Sequence, residues 1–208
     1  MSKTKSHQVY KNAAGKQVPG VTTVIGILEK PAIHNWIAKI TREGHDWAKY
    51  RDEAGDIGTL AHALILSYFR EENADTSDYS KEQIDQAENA FLFFLDWAKG
   101  KKFIPILVEK PLVSESMQVG GCLDFYGKID GGIILTDFKT GGIYDEAYIQ
   151  TCAYREMIIE NGYEAPDKII ILGIPRKDTE HFTEQTHTSF ERGIELFKLC
   201  RRIYELRR

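Results

Sequence analysis

The apolar positions of this chain change period near residue 100. Before that point they recur at helical spacing. Ile33, Trp36, Ile37 and Ile40 fall on one helix face after Pro31, and Ile84, Ala87, Phe91, Phe94 and Leu95 mark another over about residues 80–99. Ser80 with Gln83 three residues later has the form of a capping box, which satisfies two orphan backbone donors at a helix start. A short helix is expected over residues 22–29, with Thr22 or Thr23 as its N-cap. A longer one is expected over about residues 56–69, with Asp56 in the capping position.

Beyond Gly100 the pattern becomes that of strands. Residues 103–114 are rich in β-formers yet hold Pro105 and Pro111, which suits an edge position. Residues 118–129 and 133–138 read as the next two strands, and Asp130-Gly131-Gly132 between them is strong hairpin punctuation. A helix is expected over about residues 144–161, stopping at Gly162. Residues 168–174 form an unbroken apolar run, as a central strand covered on both faces requires. A closing helix from about Ser189 ends among Arg201, Arg202, Arg207 and Arg208, where cations suit the helix dipole. The order predicts an α/β fold in which a mixed sheet is flanked by helices. One domain over residues 1–208 is expected, with a mainly helical part to about 100 and an αβ core from about 101.

Composition narrows the class without naming it. The 208 residues are 42% hydrophobic and 28% charged, the profile of a globular chain with a sizeable core. Disorder is expected only in the first few residues, around Lys3 and Lys5. No apolar run approaches the ~20 residues of a membrane span, and no apolar segment follows the first charges as a secretory signal needs. Cys122, Cys152 and Cys200 are odd in number and scattered, which points to reduced thiols in a cytoplasmic setting and away from an iron–sulfur cluster or structural zinc. A net charge of −4 gives no support to nonspecific nucleic-acid coating, although a carboxylate-rich site can coexist with a local basic groove.

The chemistry concentrates in the expected hairpin. Side chains alternate along a strand, so Asp137 and Lys139 share a face. A two-residue turn at Asp130-Gly131 sets Asp124 opposite Asp137, and one at Gly131-Gly132 sets it opposite Lys139. A three-residue loop would separate them. Opposed residues hold their Cβ atoms ~4.5–5.5 Å apart, and like charges there repel. Two carboxylates at that distance invite a hard cation such as Mg²⁺ or Mn²⁺. The plain alternative is a solvated Asp–Lys pair worth ~0–1 kcal/mol.

Around these residues the chain resembles the PD-(D/E)xK nuclease superfamily, in its RecB-like and phage-type exonuclease branch. Gly121-Cys-Leu-Asp124, the hairpin, and Thr136-Asp-Phe-Lys139-Thr are similar to its core motif. Gln150 and Tyr154 resemble the Gln-x-x-x-Tyr motif of that branch, and Gly58-Thr-Leu-Ala-His62 its Gly-Thr-x-x-His segment. Val18-Pro-Gly-Val-Thr-Thr, Lys30-Pro31 and Trp36 are also similar to phage-encoded members and to the mitochondrial genome-maintenance exonuclease group. The resemblance implies a restriction-endonuclease-like core and a phosphodiester hydrolase dependent on one or two Mg²⁺ or Mn²⁺ ions. It casts His62, Asp124, Asp137 and the Phe138 carbonyl as metal ligands, Lys139 as the residue assisting water, and Gln150 and Tyr154 as substrate-orienting.

The expected substrate is DNA, at single-stranded or duplex ends, in phage or prophage recombination or replication. A homo-oligomer or a recombination or replication partner is compatible with it. An endonuclease, an inactive nucleic-acid-binding module and a nucleotide phosphohydrolase are the rival readings. Lys99, Lys101, Lys102, Arg176, Lys177 and the C-terminal arginines are candidate DNA contacts. Trp36, Trp47 and Tyr50 are candidate stacking residues or core packing, and Glu109 a possible neighbour of the site or a solvated edge charge.

Overall fold

The computed structural model describes residues 8–28 and 31–207. The expectations that rest on Lys3, Lys5, Glu29, Lys30 and Arg208 lie outside those residues. The chain opens with a small antiparallel hairpin, β1 (Tyr10–Lys11) and β2 (Gln17–Val18), turned at Gly15 with φ 76°. Four helices follow: α1 (Val21–Ile25), α2 (Pro31–Arg42), α3 (Trp47–Arg70) and α4 (Lys81–Ala98). Then come β3 (Phe103–Ser114), β4 (Val119–Ile129), β5 (Gly132–Thr140), α5 (Asp145–Glu160), β6 (Lys168–Ile174), β7 (Thr183–His187) and α6 (Glu191–Leu206).

The five later strands form one mixed sheet in the order β3-β4-β5-β6-β7. β5 and β6 run parallel, joined through α5, and the other neighbours run antiparallel. β3 is an edge strand as its prolines suggest, and its register with β4 shifts between Pro105 and Leu107. β6 is buried almost throughout, between β5 and β7. This is the α/β arrangement the residue pattern predicts.

The two faces of the sheet carry different layers. On one, α1, α5 and α6 pack an aliphatic core that includes Leu135, Ile149, Met157, Ile158, Ile171 and Phe197. On the other, α3 and α4 pack an aromatic one, where Phe69, Phe91, Phe94, Phe103, Phe125 and Phe138 meet at edge-to-face, tilted or stacked angles. Ring pairs of this kind add ~0.5–1.5 kcal/mol beyond their burial.

Several helix starts follow from single side chains. Ser80 Oγ accepts from Gln83 N at 3.3 Å and Gln83 Oε1 accepts from Ser80 N at 2.9 Å, so the expected capping box is formed. α3, in contrast, begins nine residues before the expected start. Its cap is Asp46, which accepts from Ala48 N at 2.9 Å, and Asp56 lies inside the helix. Residues 47–56 are largely exposed, so no apolar period announces them, and Gly55 weakens the local helix signal. α1 also differs, because it begins at Val21 with Gly20 as cap and ends at Ile25. Thr22 and Thr23 therefore sit within the helix. The entry is fixed instead by β4, since Gly120 N donates to Pro19 O at 2.9 Å and Gly20 bridges Gly120. β7 has no apolar alternation (Thr-Glu-Gln-Thr-His), and the sequence pattern did not predict it.

Candidate active site at the fork of the central hairpin

The turn between β4 and β5 is the two-residue Asp130-Gly131 loop, because Ile129 pairs with Gly132. Both turn residues have positive φ, 51° and 92°, as a type I′ turn requires. That register sets Asp124 opposite Asp137, one step past the last paired residues, Phe125 and Thr136. Here the two strands fork.

The fork has a local cause. On β4, Leu123 joins the aliphatic layer and Phe125 the aromatic one, so the usual alternation slips at Asp124. On β3 the same slip falls between Val108 and Leu112, where Glu109 adopts φ 46°. Such irregularities re-aim side chains and end pairing. The Asp124 carboxylate then takes a bond that a continued ladder would not leave for it: its Oδ2 accepts from Phe138 N at 2.9 Å.

Asp137 is buried, and its Oδ2 meets no hydrogen-bond donor in good geometry. Its partner is the Lys139 ammonium, 2.7 Å away. Burial pushes the Asp137 carboxyl up to about 6, Lys139 opposes the rise, and the Asp124 charge adds to it. Burial likewise works against the Lys139 charge, but Asp137 and Asp124 prevail and hold it above the ordinary lysine value.

α5 adds the next residues. Gln150 Oε1 accepts from Lys139 Nζ at 3.2 Å, and Gln150 Nε2 donates to Tyr154 Oη at 2.9 Å. Their spacing of four puts them on one helix face. Burial raises the Tyr154 phenol well above its usual value. From the other layer, α3 places His62 Nδ1 3.8 Å from Asp124 Oδ2. Thus all seven candidate positions stand around one fork: His62, Asp124, Asp137, Phe138, Lys139, Gln150 and Tyr154. Phe138 contributes its backbone here, since its ring is buried in the aromatic core.

Two glycines allow these approaches. A Cβ on Gly121 would run into the Tyr154 ring, and one on Gly58 would stand 2.7 Å from Thr140 Oγ1. Tyr10 was missed by the sequence reading. Its ring covers Gly120, and burial, aided by Cys122, lifts its phenol to about 12. The Gly120-Gly121 pair inside a strand was the available signal for such close contact.

As a metal site the donor chemistry fits in part. Two mutually repelling carboxylates suit a hard cation, while the buried Asp137 Oδ2 already has the Lys139 ammonium beside it. Yet among the described residues no group of three or more His, Cys, Asp or Glu is disposed to hold one. His62 and the two aspartates are neighbours rather than a finished cage.

The basic candidates are less concentrated. Lys101 lies over the Trp97 ring at 4.5 Å, and Arg201 pairs with Glu205 at 2.9 Å. Arg176 pairs with Glu180 at 3.1 Å. Arg176 and Lys177 line an open groove of about 430 Å³ together with Glu82, Asp85 and Asp178, so its charge is mixed. Glu109 pairs with Arg70 at 3.1 Å. Trp47 and Tyr50 are exposed, with Trp36 6.1 Å from Tyr50 between ring centroids, so they are not core residues. Among the described residues no helix is long and apolar enough to cross a membrane.

No protein-family model matches the chain, and no curated protein sequence matches it. Among solved structures it is similar to a protein of Eubacterium rectale provisionally named an exonuclease, with a TM-score of 0.45 and 14% identity over 69% of this chain. The chain spans 64% of that structure. It is also similar to one designated SSO0001, with a TM-score of 0.33 and 15% identity over 72% of this chain and 75% of that one. Overlaps this loose leave function to be read from the residues themselves.

Proposed function

We propose that this protein is a metal-dependent DNA nuclease, acting as an exonuclease on phosphodiester bonds. The observation that carries the reading is the fork: Asp124 opposite a buried Asp137 whose carboxylate is 2.7 Å from Lys139. Close, repelling carboxylates are costly to a fold, and their retention beside a lysine is explained by chemistry on an anionic substrate.

Asp124, Asp137 and the Phe138 carbonyl would hold Mg²⁺ or Mn²⁺, with His62 as a further ligand. When bound, such an ion supplies a Lewis acid for the phosphoryl oxygen and a more acidic water. Lys139 orients the attacking water and stabilises negative charge as it develops. Gln150 fixes the Lys139 ammonium through its Oε1, and Tyr154 fixes Gln150 in turn. The Gln150–Tyr154 pair thereby faces the substrate as a unit and orients its phosphate. The water oxygen forms a bond to phosphorus as the bridging P–O ester bond breaks, and the leaving oxygen takes up a proton. A place in phage or prophage recombination or replication accords with the resemblance of the motifs.

The test is hydrolysis of end-labelled linear DNA, single-stranded and duplex, beside a covalently closed circle, with Mg²⁺ or Mn²⁺. An exonuclease degrades the linear strands in a ladder and spares the circle. Cutting of the circle would replace the exonuclease reading with an endonuclease. Inertness toward every polymer in either metal would overturn the proposal.

A further inference from the structure

Lys139 is tied to the fork in two ways that differ in kind. Its ammonium lies 2.7 Å from Asp137 Oδ2, yet that oxygen has no hydrogen bond in good geometry. The tie is therefore the pull of one point charge on another. The bond to Gln150 Oε1 is longer, 3.2 Å, but directional. Gln150 is itself held, because its Nε2 donates to Tyr154 Oη at 2.9 Å and the Tyr154 ring rests on Gly121. The amide cannot turn its nitrogen toward the ammonium without breaking that bond. Lys139 thus stands between a carboxylate whose charge it balances and an amide oxygen fixed in place to receive it.

Charge decides what the first tie does. With both ionised, Asp124 and Asp137 carry two negative charges, and Lys139 offsets one of them. A divalent cation held by both carboxylates offsets them fully, so an ammonium kept at 2.7 Å from Asp137 would stand as an unbalanced positive charge beside the ion. The oxygen such a cation needs is the one that Lys139 holds. In keeping with this, among the described residues no three or more His, Cys, Asp or Glu are gathered for a metal.

We propose that Lys139 is the built-in counter-cation of the fork and gives way by exchange. When Mg²⁺ or Mn²⁺ is bound at Asp137, the ammonium leaves that carboxylate and is received by Gln150 Oε1. The inference rests on the metal-site reading above and adds an order to it. Lys139 is released to meet an anionic phosphate only once the carboxylate that held it is engaged, so metal precedes substrate. Gln150 becomes a positioning residue for metal affinity, acting through Lys139 without touching the ion.

Calorimetric titration of the full chain with Mn²⁺, without DNA, tests the exchange apart from hydrolysis. Lys139→Met keeps the alkyl stem and removes the competing charge, and it should bind Mn²⁺ at least about tenfold more tightly than wild type. Gln150→Ala leaves the displaced ammonium without its acceptor and should weaken binding by about three- to tenfold. Because that loss runs through Lys139, Gln150→Ala should have no effect in the Lys139→Met background. Circular dichroism checks the fold of each variant, and Gln150→Ala, which keeps the Lys139–Asp137 pair, decides the matter if Lys139→Met does not fold. Equal Mn²⁺ affinity in wild type and Lys139→Met, or in wild type and Gln150→Ala, would overturn the exchange and leave the metal site standing. An equal loss from Gln150→Ala in both backgrounds would make Gln150 a direct ligand and overturn it as well. Absence of Mn²⁺ binding in wild type and every variant would instead overturn the metal-site reading on which the exchange rests.

Discussion

On one face of the sheet the helix carries the glycine, and on the other the strand does. α3 meets the end of β5 at Gly58, where the nearest obstacle to a Cβ is the rotatable hydroxyl of Thr140, 2.7 Å away. α5 instead keeps a full-sized Tyr154 and rests its ring on Gly121 of β4. The first contact can adjust by turning one side chain. The second cannot, because a buried ring has nowhere to go in a close-packed layer. The α5 side also holds the chain of contacts from Tyr154 through Gln150 to Lys139, whereas the α3 side delivers only His62. The geometry of the site should therefore tolerate change under α3 and resist it under α5.

The largest expected effect lies between the two layers. Burial holds the folded-state carboxyl of Asp137 at about 6, above its ordinary value of 3.8. A raised carboxylate costs stability when it ionises, so the penalty is absent below the unfolded value, grows between the two values and is fully present above the folded one. In buffer with EDTA, Asp137→Asn should be more stable than wild type at pH 7–8, by about 1–3 kcal/mol. That advantage should vanish toward pH 4, and an advantage that stayed constant with pH would refute the assignment.

Gly121→Ala comes next. Pushing the Tyr154 ring should cost about 1–3 kcal/mol in urea unfolding, in the range of overpacked cores. Tyr154→Phe removes only the hydroxyl that accepts from Gln150, and a loss of about 0.5–1.5 kcal/mol is expected. Gly58→Ala should be the mildest. A helical alanine gains roughly 0.5–1 kcal/mol over glycine, which offsets the displacement of Thr140. If Gly58→Ala destabilises as much as Gly121→Ala, the contrast between the layers is wrong.

Most of the sheet could be read from the chain because its signals are local. Prolines mark the edge strand, an unbroken apolar run marks β6, and Asp130-Gly131-Gly132 marks a hairpin with two open registers, of which the structure adopts the one that opposes the two aspartates. What escaped had either no apolar period or a cause distant in sequence. α3 begins in exposed turns with no apolar period, so its cap at Asp46 could not compete with Asp56. The slip of alternation at Asp124 lies level with a positive-φ residue, Glu109, on a neighbouring strand, and Tyr10 reaches Gly120 across more than a hundred residues. The motifs supplied the membership of the site. The fork that gives it its shape was not visible in any one of them.

The account is tested most directly by cleavage of end-labelled DNA with Mg²⁺, Mn²⁺ or EDTA, comparing wild type with Lys139→Ala and Asp124→Asn. Both variants should fold as wild type does, by circular dichroism. The expected result is cleavage by wild type in metal, none in EDTA, and a loss of at least about a hundredfold in each variant, the scale of removing an electrostatic stabiliser from a site. Cleavage that persists in either variant or in EDTA would contradict the assignment of the fork as the catalytic centre.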